Sequence, residues 1–210
     1  LEGDILMTQK KFAQAVPVYQ KAYAAKPTAQ LLIKTSEALK QAGKGKEAQQ
    51  LVAQWQKAHP DESVVALYTA EAHLGDKQYK PAIEILQGVL KKDPNNPVAL
   101  NNLAWAYQQD KDPRAVATAE HALKVSGNSP AVMDTLGWML VEQGNTARGV
   151  ELLQKAAALA PNAPDIRYHL AYALSKSGDK AGARKELDQL AAAKLPVALQ
   201  DEVRSLRAAL

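Results

Sequence analysis

The chain has 210 residues, 47% of them hydrophobic but only 5% aromatic, with no cysteine and a formal net charge of +4. The missing cysteines exclude disulfides and cysteine metal sites, and the mild, dispersed basic charge lacks the clustered footprint of a nucleic-acid binder. No run approaches the roughly 18 apolar residues of a membrane span, so no direct transmembrane segment is expected, while the bias toward Ala, Leu, Lys, Gln and Glu favours helices.

The predicted elements repeat. Helix-stopping prolines stand at Pro27, Pro60 and Pro94, spaced by 33 and 34, with Pro161 a further 67 along. Proline ends a helix because it lacks the amide donor and clashes with the preceding turn. A small residue recurs midway through each unit at Ala15, Ala48, Ala82, Ala115, Gly149 and Ala183, at spacings of 33 or 34. In chain order the units are a partial repeat at 1–28, then 29–62, 63–96, 97–129, 130–163 and 164–195. Each holds a first (A) helix, a polar turn and a second (B) helix. The turns carry Gly43-Lys44-Gly45, Gly75-Asp76-Lys77, Asp110 to Pro113, Gly144-Asn145 and Gly178-Asp179. Asn96-Pro97 and Ser129-Pro130 read as helix caps with a first-turn proline. The small residues let A and B helices cross closely, and Tyr19, Val52, Leu86, Leu153 and Leu187 fill the seam four residues later. Trp55 falls at a packing position of its B helix and is read as core. Leu199, Val203, Leu206 and Leu210 form one apolar stripe after Pro196, as a terminal cap requires. Leu1 enters midway along an A helix, so further repeats are expected upstream, and any targeting signal is expected to have been removed or to lie upstream too.

This period, with Leu103-Ala104-Trp105-Ala106-Tyr107 and Leu136-Gly137-Trp138, resembles the tetratricopeptide repeat family and its Leu-Gly-x-x-Tyr core. The resemblance covers essentially the whole chain. It implies a single all-α domain, residues 1–210: a right-handed α-solenoid of about six helix-turn-helix units with a C-terminal capping helix. In that family the ninth position of each A helix looks into the concave groove. Here those rungs read Asp4, Glu37, Glu71, Trp105, Trp138 and Tyr172. Fifth-position neighbours include Asn101, Asp134 and Tyr168, with Asn102 beside them. Tyr and Trp supply binding area at low entropy cost, and a side-chain amide can bond a ligand's backbone. The implied function is a non-enzymatic scaffold that binds a protein or peptide in the groove. The alternatives are a polysaccharide-binding groove and an architectural spacer that self-associates through its uncapped N-terminal edge. The rungs lack the paired basic residues that hold a C-terminal carboxylate in some relatives.

No catalytic residue, metal ligand set or cofactor is expected. No nucleophile elbow, phosphate loop or dinucleotide fingerprint occurs. The rungs Glu37 and Glu71 stand on separate A helices and lack a burying pocket that would raise one pKa. Asp165 and His169, four apart, read as a surface helix pair, and His59 as a last-turn residue favourable to the helix dipole. Finally, Asn101 to Trp105, Asp112 to Ala115, Asp134 to Trp138 and Ile166 to Ala171 are similar to the C-terminal repeats of the lipoproteins of the PEP-CTERM (exosortase) system. That resemblance implies a bacterial, periplasmic envelope protein tied to protein sorting and exopolysaccharide export.

Overall fold

In the computed structural model, which describes residues 2–191 and 195–210, every element is an α-helix and no strand occurs among the described residues. The place of Leu1 on an A helix, and residues 192–194 of the expected 164–195 unit, lie outside the described residues. The chain forms two compact units, Leu1–Val89 and Leu90–Leu210. The first holds α1 (Glu2–Thr8), α2 (Phe12–Ala25), α3 (Ala29–Gln41), α4 (Gly45–Ala58), α5 (Ser63–Gly75) and most of α6 (Tyr79–Lys92). The second holds α7 (Pro97–Gln109), α8 (Ala115–Ser126), α9 (Pro130–Glu142), α10 (Thr146–Leu159), α11 (Pro164–Lys176), α12 (Lys180–Ala191) and α13 (Val197–Ala208).

The turn after each odd-numbered helix from α1 to α11 is built alike. Lys10, Gly43, Lys77, Lys111, Gly144 and Gly178 all have φ between 57 and 89°. The amide of the following residue reaches back to a helical carbonyl, as Lys44 does to Leu39 at 2.8 Å and Asn145 to Leu140 at 2.8 Å. This left-handed closure satisfies carbonyls that the helix end would otherwise orphan. In the expected Gly75-Asp76-Lys77 segment, Gly75 is the last residue of α5 and Lys77 takes the left-handed position. Three of the six turns thus place a lysine where glycine would be less strained.

Helix starts are more varied. Asn96 accepts a hydrogen bond from the Ala99 amide at 3.0 Å and Thr28 one from Leu31 at 3.2 Å. Ser129 makes no such bond; α9 opens on Pro130, whose fixed φ already suits a first turn.

The recurring small residues are where the helices meet. Ala15, Ala48, Ala82 and Ala183 are fully buried, Ala115 is 2% exposed, and Gly149 is buried against Gly137 of α9. Tyr19, Leu86, Leu153 and Leu187 are buried beside them, as is Val52. Trp55 is also buried; its indole N–H donates to Glu62 at 2.5 Å and its ring stacks on His59, the residue that closes α4. At the other end of the chain, Leu199 and Val203 of α13 pack with Ala171, Leu187 and Leu190, and Leu206 and Leu210 close the same cluster. Arg167 holds α11 to α12 through Glu186 at 2.5 Å and Gln189, and also donates to the Pro161 carbonyl at 2.8 Å.

Candidate partner-binding face

Within the second unit, α7 touches α9 and α9 touches α11, so three A helices stand side by side. Each rung residue sits between two buried neighbours: Trp105 between Ala104 and Ala106, Trp138 between Gly137 and Met139, Tyr172 between Ala171 and Ala173. The small or slender neighbours face the partner helices. The large ring between them is left half-buried in all three helices. Helix periodicity accounts for this placement: successive residues diverge by about 100°, so a narrow sector of each A helix is left between its two packed faces.

The rings do not stand alone. Trp138 and Tyr172 lie 4.9 Å apart, centroid to centroid, in a tilted pair. On its other flank Trp138 meets His169, with centroids 4.4 Å apart. His169 Nδ1 is 2.8 Å from Asp134 Oδ1, with both side chains at most 20% exposed, and this polar contact crosses from α11 to α9. Tyr168 approaches His169 at 6.0 Å, and its hydroxyl pKa is pushed up by burial, then by the negative charge of Glu202. Lys176 lies 5.2 Å over the Tyr172 ring. The reading of His169 as the surface partner of Asp165 is therefore corrected. Asp165 is exposed, and His169 turns inward across the seam because the neighbouring A helix offers a carboxylate and an aromatic face.

Of the amides, Asn101 is half-buried and its Oδ1 is shielded from solvent without a hydrogen-bond partner among the described residues. Asn102 is half-buried and engaged. His169 was missed as a member of the cluster, although a signal existed: Asp134 and His169 are 35 residues apart, one repeat plus one, which sets them on adjacent A helices.

The acidic rungs belong to the first unit and are already occupied. Asp4 accepts from the Tyr19 hydroxyl at 2.7 Å and from Lys34 at 2.6 Å. Those two bonds, Lys34 first, hold its pKa down to about 2, while burial and Asp4 push Tyr19 up to about 12. Glu37 accepts from Gln41 at 3.0 Å and from the Tyr68 hydroxyl at 3.4 Å. Glu71 is exposed and also engaged. Beside these helices lies a cavity of about 310 Å³, lined among others by Ser36, Lys40, Val52, Tyr68, Thr69 and His73. No group of three His, Asp or Glu side chains able to hold a metal occurs among the described residues. No described helix is long and apolar enough to cross a membrane.

Paired helices joined by uniform left-handed turns, with one face of half-open rings, define a helical-repeat scaffold. The chain belongs to the tetratricopeptide repeat family: models of that repeat match residues 6–71 and 140–210, and two further ones match 65–96 and 85–115. It is 32% identical over 123 residues to cellulose synthase operon protein C of Komagataeibacter sucrofermentans, covering 55% of this chain and 9% of that protein. It is 28% identical over 176 residues to a TPR repeat-containing protein of Pseudomonas aeruginosa, covering 80% of this chain and 29% of that one. The chain thus spans under a third of either relative. Among solved structures, a chain of the APC/C hetero-tetramer Cut9–Hcn1 superposes with a TM-score of 0.77 at 15% identity, over 97% of this chain and 41% of that one. PilW, described as a widely conserved type IV pilus biogenesis factor, gives 0.73 at 16% identity, over 95% and 94%. These likenesses show the fold, an all-α repeat scaffold of the tetratricopeptide class.

Proposed function

We propose that the protein is a non-enzymatic scaffold that binds a polypeptide segment along the face made by α7, α9 and α11. The observation that carries this reading is the row of three large rings, Trp105, Trp138 and Tyr172, each half-exposed between fully packed neighbours. Tyr168, Asp134, Asn101 and Asn102 border the row. Leaving three aromatic rings half-exposed on consecutive repeats forgoes part of the about 1.5–3 kcal/mol that full burial of a large apolar side chain is worth. A partner that covers them recovers it, and buried aromatic anchors dominate interface energies. The Glu37 and Glu71 rungs of the first unit form a second, acidic surface that we assign to the same task.

A role in the bacterial envelope, in protein sorting or exopolysaccharide export, is supported by the resemblance to the PEP-CTERM lipoproteins and by the relative from a cellulose synthase operon. A periplasmic location goes with that role. The same relative, with aromatic faces beside a carboxylate and amides, favours one second reading, a glycan lying on the rings.

Selection of a displayed peptide library on the protein tests the first reading. Selected peptides bind at least tenfold more weakly to a Trp105→Ala/Trp138→Ala/Tyr172→Ala variant whose circular dichroism is unchanged. Undiminished binding to that folded variant removes the face from the proposal. Saturable quenching of tryptophan fluorescence by a β-glucan, insensitive to salt, favours the glycan instead.

A further inference from the structure

We infer that the cavity of about 310 Å³ between α3, α4 and α5 is a small-molecule site, and that its ligand is a neutral, hydroxyl-rich compound of monosaccharide size. Two independent observations carry this. The first is that this seam is built differently from its counterparts. At the position of Thr69 the later repeats have Leu103, Leu136 and Leu170, all buried; Thr35, one repeat earlier, is polar too but buried. At the position of His73 stand Leu39, Tyr107, Leu140 and Leu174, again all buried. On the facing helix Gln49 replaces Val16, Ile83, Val116 and Val150, with a polar counterpart, Arg184, in the last repeat. Gln56 replaces Tyr23, Leu90, Leu123 and Ala157. Between them Ala72 is half-buried, whereas Ala38, Ala106, Met139 and Ala173 at the same place are fully buried. Polar residues have entered both sides of one seam, and that seam is open. A seam that served only to stack one repeat on the next would keep the apolar set, because apolar burial is what holds neighbouring repeats together.

The second observation is the chemistry of the walls. Gln56 donates to the Thr69 hydroxyl at 3.0 Å and Thr69 donates to the Val65 carbonyl at 2.9 Å. The Gln56 carbonyl oxygen is left without a partner among the described residues. His73 Nδ1 lies 2.6 Å from Gln78 Oε1, so the neutral ring carries its proton there and keeps Nε2 as an acceptor. The Lys40 ammonium sits over the Tyr68 ring, 4.5 Å from its centroid, with no carboxylate partner among the described residues. Among those residues the side chains of Asp76 and Gln49 have no partner either. Donors and acceptors are thus both on offer around an apolar floor of Ala48, Val52 and Ala72, and the one lysine is offset by the one aspartate. An apolar ligand would strip water from these groups and replace none of it. An oxyanion would meet a carboxylate as well as an ammonium. Hydroxyl groups donate and accept without charge, and the C–H face of a sugar ring suits the floor. The volume equals that of about ten waters at roughly 30 Å³ each, which is the scale of a single sugar ring.

The test uses the full chain and saturation-transfer NMR with glucose, galactose, mannose, fructose and inositol, each titrated alone. At least one should give a saturable signal and raise the melting temperature. Thr69→Leu/His73→Leu restores the residues of the other repeats; it should melt higher than the wild type and bind that compound at least tenfold more weakly. Gln49→Ala leaves the cavity open and should also weaken binding, by at least threefold. The Trp105→Ala/Trp138→Ala/Tyr172→Ala variant should bind the compound as the wild type does, which separates this site from the ring face. Silence from all five compounds overturns the inference, as does undiminished binding to the folded leucine variant. Binding lost in the ring variant and kept in the leucine variant also overturns it and moves the sugar to the rings. If acetate or free alanine binds at the seam and no sugar does, Lys40 and Asp76 select a charged ligand and the inference falls.

Discussion

Gly149→Ala tests the packing rule on which the repeat depends. A Cβ at this position would stand 2.7 Å from the Gly137 carbonyl oxygen, 2.5 Å from Val141 Cγ2 and 3.1 Å from the Val141 amide nitrogen. Two of those neighbours are backbone, so α9 and α10 must part rather than a side chain swing away. Overpacking a well-filled core costs typically 1–3 kcal/mol, and a backbone obstruction belongs at the upper end, about 3. Against this, alanine gains about 1 kcal/mol over glycine in a helix. The net expectation is a loss of about 2 kcal/mol, which lowers the melting temperature by about 4–8 °C for a chain of this size. Gly88→Ala in α6 is the control, because its Cβ would meet nothing within 4 Å. There only the propensity gain remains, up to about 1 kcal/mol of stabilisation. Urea and thermal unfolding followed by circular dichroism measure both. If Gly149→Ala stabilises the protein as much as Gly88→Ala does, the helices do not cross at backbone contact and the reasoning is refuted.

Lys77→Gly and Lys111→Gly relieve left-handed turn positions, at φ 57 and 59°, and each should raise stability by about 0.5–1 kcal/mol in urea unfolding; destabilisation would mean the lysines make compensating contacts. Asp4 has its pKa lowered from 3.8 to about 2, so its contribution is present above pH 3.8 and is lost as pH falls toward 2. The stability gap between the wild type and Asp4→Asn should therefore close over that interval, and a gap constant with pH would show that the Lys34 and Tyr19 bonds carry no charge-dependent stability. A double-mutant cycle on Asp134→Asn and His169→Phe should give a coupling of about 1 kcal/mol; values within the roughly 0.3–0.5 kcal/mol seen for independent sites would show that the contact across α9 and α11 is idle.

The elements were legible because their signals are local. Proline stops and small crossing residues act within one or two turns, and the burial of Ala15, Ala48, Ala82, Ala115 and Ala183 follows directly from their spacing. The apolar stripe of α13 was legible for the same reason. What escaped was chemistry between repeats. His169 looks like a surface residue beside Asp165 on its own helix, and only the neighbouring helix supplies Asp134 and Trp138. Likewise the acids Asp4 and Glu37 look like a free ladder until Lys34, Tyr19, Gln41 and Tyr68 close on them. The turn segments were legible, but not which residue of each takes the left-handed conformation: in Gly75-Asp76-Lys77 it is the lysine and not the glycine.

The three tryptophans make the argument for the candidate face by contrast. Trp55 shows how this fold treats an indole it intends to bury: the ring is 7% exposed, stacked on His59, near Tyr23, with its N–H given to Glu62. Trp105 and Trp138 come from the same chain and have neither the burial nor, among the described residues, a partner for the N–H. Packing alone would not produce that difference, because the second unit supplies carboxylates as readily as the first, and Asp134 lies close enough to Trp138 to hold the histidine tilted against it. That carboxylate is spent on His169 instead. Its hydrogen bond holds His169 against one side of the Trp138 ring, and the indole N–H has no partner among the described residues. The arrangement braces a ring while keeping its donor open, which is the state a binding residue needs and a core residue does not.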